Sequence, residues 1–340
     1  MTVTKTKEKA FCNVAARELG LDPAGHAGSF NDAVLIETKL PWVRSIYQEA
    51  GALPQEAIDL MGLWMERYKE TGVFGHRPLL LAPDKEYSQD GYRRVVFYDK
   101  PSDGTPFEAF SQREYLVPDE DLGLLLWALF EKPETLPEFD DYQVPMAQIA
   151  RDVLVCTHGT IDVACAKFGY PLYKMLRDDF AGKPCYENLR VWRVSHFGGH
   201  VFAPTLMDMP TGHYWAYIGE EQAAQIVERS GDVSGLREHY RGWAGLDRGF
   251  TQAAERELWQ QKGWSWFDAP KSGQVIGKDE QDDPQWADVQ LTYIHDGVEE
   301  VYQAHVDIEK TIETHPSTDR DNLYAYPQYR VGPLSFVQGP

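Results

Sequence analysis

Two cysteines and two histidines follow two neighbouring strands of the predicted fold, and this arrangement constrains the chain more than any other feature. Cys156 ends an apolar strand segment and precedes Cys165 in a Cys-x8-Cys pattern, and a gap of 30 residues separates Cys165 from His196. His196 ends an alternating strand segment and precedes His200 in a His-x3-His pattern. Loops at the ends of strands in one sheet can present side chains to one site, so we expect the four to converge. They would close one metal site or hold a small iron–sulfur cluster.

The spacing of these four residues narrows the choice of metal without settling it. Ligand type alone fits structural zinc and an iron–sulfur cluster equally well. The Cys-x8-Cys gap is longer than the ~2–4 residues usual in zinc fingers, which favours a two-iron cluster held by two loops. Gly198 and Gly199 lie between the histidines and disfavour a helix. We expect a tight loop there, with its backbone close to the metal.

Three polar side chains near the ligands are candidates for supporting roles, and two of them have alternative interpretations. His158 follows Cys156 by two residues. We expect its side chain either to form a hydrogen bond near the metal or to have a structural role in the loop. Ser195 adjoins His196. We expect its hydroxyl either to donate a hydrogen bond to the metal group or to face solvent. Asp162 is expected to cap the helix that carries Cys165, since aspartate is favoured at helix N-termini. Cys12 and Cys185 are remote in sequence and are not expected to bind the metal.

The hydrophobic patterns predict an α/β fold with two domains. Residues 11–132 are expected to form an N-terminal α/β domain, and the Pro-rich, acidic residues 133–148 a linker. Residues 149–231 follow the order β-α-β-β-β-α, which is that of a thioredoxin-like domain. Residues 232–340 are expected to form a helical and β-hairpin extension packed on the core.

The extension is predicted in more detail from its composition. Residues 234–267 hold four tryptophans and are expected to be helical. Residues 270–285 are polar and acidic, which predicts a mobile loop. Asp296-Gly297 is a hairpin signal between two apolar segments. The last 26 residues, from His315, are expected to be irregular.

Charge and cysteine content limit the classes of partner and compartment. The chain of 340 residues has 33 basic and 53 acidic residues, a net charge of −20. Such a surface repels nucleic acid and anionic lipid, so neither is expected as a partner, whereas a basic docking protein would be attracted. Four cysteines are too few for a disulfide scaffold, and no apolar segment approaches the ~20 residues of a membrane helix. We therefore expect a cytoplasmic protein.

Two segments of the chain resemble the sucrase/ferredoxin-like family. They are CTHGTIDVACAKFGYPL and VWRVSHFGGHVFAPTLMDMPTGHYW, and the strong resemblance covers about residues 150–218. A weaker one covers FCNVAARE and AVLIETKLPW near the start. The family carries the patterns CTHG-x-x-D-x-x-C-A and SH-x-GGH-x-FAP. Many members have a Cys-Cys pair where this chain has Ala164 before Cys165, but the Cys-x8-Cys spacing is kept.

The resemblance implies a thioredoxin-like [2Fe-2S] protein. Its metal ligands would be Cys156, Cys165, His196 and His200, and both imidazoles would bind one iron. The implied function is one-electron transfer, coupled to a proton through an exposed imidazole nitrogen. The family name implies no sucrase activity, and the chain has neither G-x-S-x-G nor G-x-G-x-x-G.

Two other functions stay open at this point. One is a zinc-stabilised module for protein–protein interaction. The other is a thiol oxidoreductase on a thioredoxin-like scaffold, although the chain has no Cys-x-x-Cys pair.

Overall fold

The computed structural model describes residues 10–48, 51–72, 75–102, 104–145 and 150–338. Within these ranges the strands form a nine-stranded mixed sheet and a five-stranded antiparallel sheet. The α-helices are α1 (Cys12–Glu18), α2 (Gln55–Thr71), α3 (Leu122–Phe130), α4 (Val163–Asp179), α5 (Glu220–Glu228) and α6 (Phe250–Lys262). The strands of the large sheet are β1 (Asp32–Glu37), β2 (His76–Leu81), β3 (Tyr92–Asp99), β4 (Ser111–Pro118), β5 (Arg151–Cys156), β6 (Leu189–Val194), β7 (Leu206–Met209), β8 (His213–Trp215) and β9 (Tyr240–Trp243). Those of the small sheet are β10 (Lys271–Lys278), β11 (Trp286–His295), β12 (Val298–Thr314), β13 (Tyr324–Val331) and β14 (Ser335–Gln338).

The central strands of the large sheet are rich in valine, leucine and isoleucine because both faces of the sheet are covered. All six residues of β1 are buried, and so are the last five of β5. Continuous apolar segments of this kind are typical of strands that have protein on both sides. The α/β class expected from the sequence is therefore confirmed.

The large sheet has a near-symmetric strand order, β4-β3-β1-β2-β6-β5-β7-β8-β9. On one side β1 is parallel to β2 and antiparallel to β3, which is antiparallel to β4. On the other side β5 is parallel to β6 and antiparallel to β7, which is antiparallel to β8. The antiparallel neighbours β2 and β6 join the two sets. The sheet thus contains the same four-strand unit twice, related by an approximate two-fold axis at this junction.

The predicted division at residues 133–148 does not interrupt the sheet. A single buried cluster includes Leu35 and Leu79 from the first unit with Val153 and Val191 from the second. Residues 146–149, at the end of the predicted linker, lie outside the described ranges. The arrangement as two separate domains is not confirmed.

Three predictions for the extension are wrong. Within residues 234–267, Tyr240–Trp243 is strand β9 rather than helix, because its aromatic residues pair with β8 at the sheet edge. Residues 271–278 form β10 rather than a loop, because pairing with β11 outweighs their polar composition. The end of the chain forms β13 and β14, both paired with β12.

Other predictions for the extension are confirmed. The hairpin at Asp296-Gly297 joins β11 to β12. Helix α6 lies within the segment expected to be helical. None of the helices in the described ranges is long and apolar enough to cross a membrane.

Candidate metal centre

The edge of the sheet at the ends of β5 and β6 positions two of the predicted ligands. Cys156 is the last residue of β5 and pairs in register with Val194, the last residue of β6. The strands are parallel, so His196, two residues beyond β6, emerges at the same edge as Cys156. The apolar character of both strands therefore fixes these ligands on a rigid support.

Helix α4 brings the second cysteine to the same place. Asp162 caps the helix, and its carboxylate accepts a hydrogen bond from Ala164 N at 2.8 Å. Cys165 lies in the first turn of α4. Gly169, one turn later, packs against the end of β5 so closely that a Cβ there would lie 2.0 Å from the carbonyl oxygen of Cys156. The predicted cap is confirmed, and it holds the helix at the short distance from β5 that the two sulfurs need.

The glycine pair turns the chain sharply between the two histidines. Gly198 and Gly199 have φ angles of +96° and +76°, a region that glycine enters without steric cost. A short 3-10 turn then begins at His200. The turn places the His196 and His200 rings side by side, with centroids 4.9 Å apart. The predicted tight loop is confirmed.

Three of the four predicted ligands converge on one point. The Nδ1 atom of His196 lies 3.7 Å from Cys156 Sγ and 3.7 Å from Cys165 Sγ. The ligand atoms of these three residues all lie within 4.8 Å of one another, and the group could hold a metal ion. His200 is outside this close group, but its ring adjoins His196, and its buried Nδ1 atom has no hydrogen-bond partner among the residues that the structure describes. A buried nitrogen lacking a partner suits a metal ligand, so His200 stays a prediction that the structure accommodates.

The pKa values of the Cys156 and Cys165 thiols depend on each other. A hydrogen bond from the Cys165 thiol lowers the pKa of Cys156 and outweighs burial, and His196 lowers it further. The same interaction raises the pKa of Cys165, and burial raises it as well. Burial lowers the pKa of His200, with a smaller contribution from His196. The centre therefore favours one thiolate and a neutral His200, the form in which each residue binds a metal.

His158 and Ser195 were predicted to support the site, and the structure shows different contacts for each. His158 is buried, and its Nδ1 accepts a hydrogen bond of 3.4 Å from the backbone N–H of His196, which supports the structural role in the loop, while a hydrogen bond near the metal stays a prediction. Ser195 is buried, so the interpretation that its hydroxyl faces solvent is wrong, whereas a hydrogen bond to the metal group stays a prediction. Its hydroxyl lies 2.9 Å from Leu80 N at the end of β2 and 2.9 Å from the Tyr47 hydroxyl. Ser195 therefore joins the two four-strand units.

Comparison with known proteins identifies the family. The model of the sucrase/ferredoxin-like family matches residues 23–242. The chain belongs to the sucrase/ferredoxin-like family. No curated protein and no solved structure gives a significant match. The family match ends within β9, so this member of the sucrase/ferredoxin-like family carries its small sheet outside the matched region.

Sequence reasoning missed the contacts that reach the centre from distant segments. Thr318 donates hydrogen bonds to the carboxylate of Asp162 from its backbone nitrogen (2.7 Å) and its hydroxyl (2.8 Å). Arg241 donates one of 3.2 Å to the carbonyl of Gly198 inside the histidine loop. Both partners lie in segments with no local motif, so only the tertiary structure reveals them.

Proposed function

We propose that Cys156, Cys165, His196 and His200 hold a [2Fe-2S] cluster and that the protein is a one-electron carrier. The observation that carries this proposal is the convergence of Cys156, Cys165 and His196, whose ligand atoms lie within 4.8 Å of one another. The adjacent His200 ring supplies a fourth donor. Two thiolates with two imidazoles are the donor set that the resemblance to the family implies.

The chain's own residues give this centre a buried side and an accessible side. Cys156 and Cys165 are buried, whereas His196 and His200 are half-buried. A [2Fe-2S] cluster would supply reversible one-electron oxidation and reduction there, at a potential raised by imidazole ligands. Because only the histidines reach the surface, we propose that electrons enter and leave on their side.

The half-buried imidazoles can also exchange a proton with solvent. Since Nδ1 of His196 faces the sulfurs, its Nε2 is the nitrogen left free to carry the proton. Oxidation would increase the positive charge next to the imidazole, and this favours loss of its proton. We therefore propose that electron transfer is coupled to proton transfer.

The scaffold of the centre is proposed to be thioredoxin-like. The elements β5, α4, β6, β7, β8 and α5 follow the order β-α-β-β-β-α. The ligands come from the end of β5, the start of α4 and the loop after β6. The net charge of −20 supports a basic redox partner. The four unpaired cysteines support a cytoplasmic location.

Structural zinc is the second candidate, and one distance favours it. Zinc bonds of about 2.3 Å to sulfur and 2.0 Å to nitrogen give a tetrahedral S···N separation of roughly 3.5 Å. The observed separations of 3.7 Å are close to this value. A thiol oxidoreductase is less well supported, because Cys156 and Cys165 are both buried and a protein disulfide could not reach them.

Analysis of the anaerobically purified protein separates these functions. Two iron and two sulfide per chain with an electron paramagnetic resonance signal after reduction support the carrier, whereas one zinc and no colour would refute it. His200→Ala should lose the cluster or change its spectrum, and Cys165→Ser should lose it. The matched controls are His305→Ala, an exposed histidine on β12, and Cys185→Ser, an exposed cysteine. Equal cluster content in His200→Ala and wild type would remove His200 from the ligand set.

A further inference from the structure

A cavity of about 360 Å³ adjoins the histidine loop. Gly198, Gly199 and His200 form part of its wall. Three arginines also line it: Arg77 from β2, Arg241 from β9 and Arg248 from the loop before α6. No aspartate or glutamate is among the described residues of its lining. This is unexpected in a chain with 53 acidic residues and a net charge of −20.

Among the described residues, none provides an acidic partner for these three guanidinium groups. No ion pair of Arg77, Arg241 or Arg248 occurs within the described ranges. Burial, with smaller contributions from the charges of Arg248 and Arg77, lowers the pKa of Arg241 to about 10. Positive charges close together in a partly buried site repel one another and destabilise the fold, unless a bound anion neutralises them.

Arg241 is held in a fixed position although part of its guanidinium has no partner. It is only 2% exposed. It donates hydrogen bonds to the carbonyls of His26 at 2.6 Å and Gly198 at 3.2 Å, and its cation lies 5.0 Å from the centre of the Phe202 ring. Its Nε atom and that of Arg77 are both buried, and neither has a hydrogen-bond partner in the described part of the chain. Buried donors of this kind are rare unless a ligand satisfies them.

The walls of the cavity suit a small molecule with one anionic group. Aromatic rings lie beside the arginines, from Phe197, Phe202, Tyr324 and Tyr326. His26, also in the wall, stays neutral near pH 7, since burial and the Arg248 charge lower its pKa to about 4. Arginine is the residue best matched to the oxygens of phosphate and carboxylate groups.

We propose that this cavity is a binding site for a small molecule that carries a phosphate or carboxylate group, with Arg77, Arg241 and Arg248 binding the oxygens and the aromatic rings contacting the rest. The site does not depend on the identity of the metal, because none of these arginines is among the four expected metal ligands. It does lie against the histidine loop, through the contact of Arg241 with Gly198.

Calorimetric titration of the metal-loaded, full-length protein tests this site. The probes are inorganic phosphate and acetate, in separate titrations at equal ionic strength set with chloride. Saturable binding of one anion per chain is expected, and the tighter of the two identifies the oxyanion. Arg248 is exposed and makes no ion pair among the described residues, so Arg248→Gln should fold normally and weaken binding by ~tenfold or more.

Arg67→Gln is the matched control, because it removes the same charge from an exposed ion pair with Glu131 on another face. Its affinity for either anion should equal that of the wild type. Arg77→Gln combined with Arg248→Gln should abolish binding. The proposal is overturned if neither anion binds saturably, or if Arg67→Gln weakens binding as much as Arg248→Gln does.

Discussion

Asp162 accepts two hydrogen bonds from Thr318, one from the backbone nitrogen at 2.7 Å and one from the hydroxyl at 2.8 Å. The same carboxylate caps the helix that carries Cys165. The segment after β12, outside the region matched by the family, is therefore tied to the base of the candidate metal centre. One buried aspartate connects the extension to the ligand helix.

Replacing this aspartate should weaken the fold and the centre together. Asp162→Ala removes the cap and leaves the backbone N–H of Thr318 without its acceptor, and we expect a loss of about 2 kcal/mol or more in the free energy of unfolding. Urea denaturation of the metal-loaded protein measures the change. Asp178→Ala, at an exposed position near the other end of α4, should cost much less. Equal losses in the two variants would contradict the role of Asp162.

The same carboxylate should make stability depend on pH in the acid range. Burial raises the pKa of Asp162, but the hydrogen bonds from Thr318, Ala164 and Ser317 outweigh it and the net pKa is lowered. A lowered pKa in the folded state means that stabilisation is present above the ordinary value of about 3.9 and is lost as pH falls through the folded pKa. Denaturation of the wild type from about pH 5 to pH 2 should show this loss, and Asp162→Ala should show a shallower dependence. Parallel curves would refute the assignment.

Two glycines in helices give a sharp test of how closely α4 must approach β5. In Gly169→Ala the new Cβ would lie 2.0 Å from the Cys156 carbonyl oxygen, so the helix must move and carry Cys165 away. We expect about 3 kcal/mol of destabilisation and loss of bound metal. Gly62→Ala, in α2, meets no atom within 4 Å. It should raise stability by about 0.5–1 kcal/mol. Metal content at the wild-type level in Gly169→Ala would show that this approach is not required.

Ser195 should contribute to stability and not to the metal. Ser195→Ala removes the acceptor of the buried Leu80 N–H and the contact with Tyr47, which we expect to cost about 1–3 kcal/mol. The absorption spectrum and metal content should not change. Ser111→Ala, an exposed serine on β4, is the control. A spectral change in Ser195→Ala without loss of stability would support the interpretation that its hydroxyl acts on the metal.

The potential of the proposed [2Fe-2S] centre should fall as pH rises. Oxidation favours loss of a proton from an imidazole nitrogen that reaches solvent, and one proton per electron corresponds to about 59 mV per pH unit. Redox titration monitored by absorption over about pH 6–10 measures the slope. His305→Ala should keep the wild-type slope. A potential that is constant over this range would rule out proton coupling.

The sequence by itself determined the local features of this protein. Apolar segments predicted the buried strands β1 and β5, Asp162 predicted a helix cap, and the glycine pair predicted the turn between His196 and His200. Each of these follows from the preferences of a few adjacent residues, which do not need the rest of the chain. The cysteine and histidine spacing likewise indicated a metal centre.

The tertiary structure alone decided the features that join distant segments. Pairing of β2 with β6 unites the two four-strand units, and it places the Ser195 hydroxyl against Leu80 N. Pairing with β11 made a strand of the polar segment 271–278. The three arginines beside the histidine loop come from three separate parts of the chain. Such contacts depend on strand order and register, which are set by long-range packing and leave no periodic signal in the sequence.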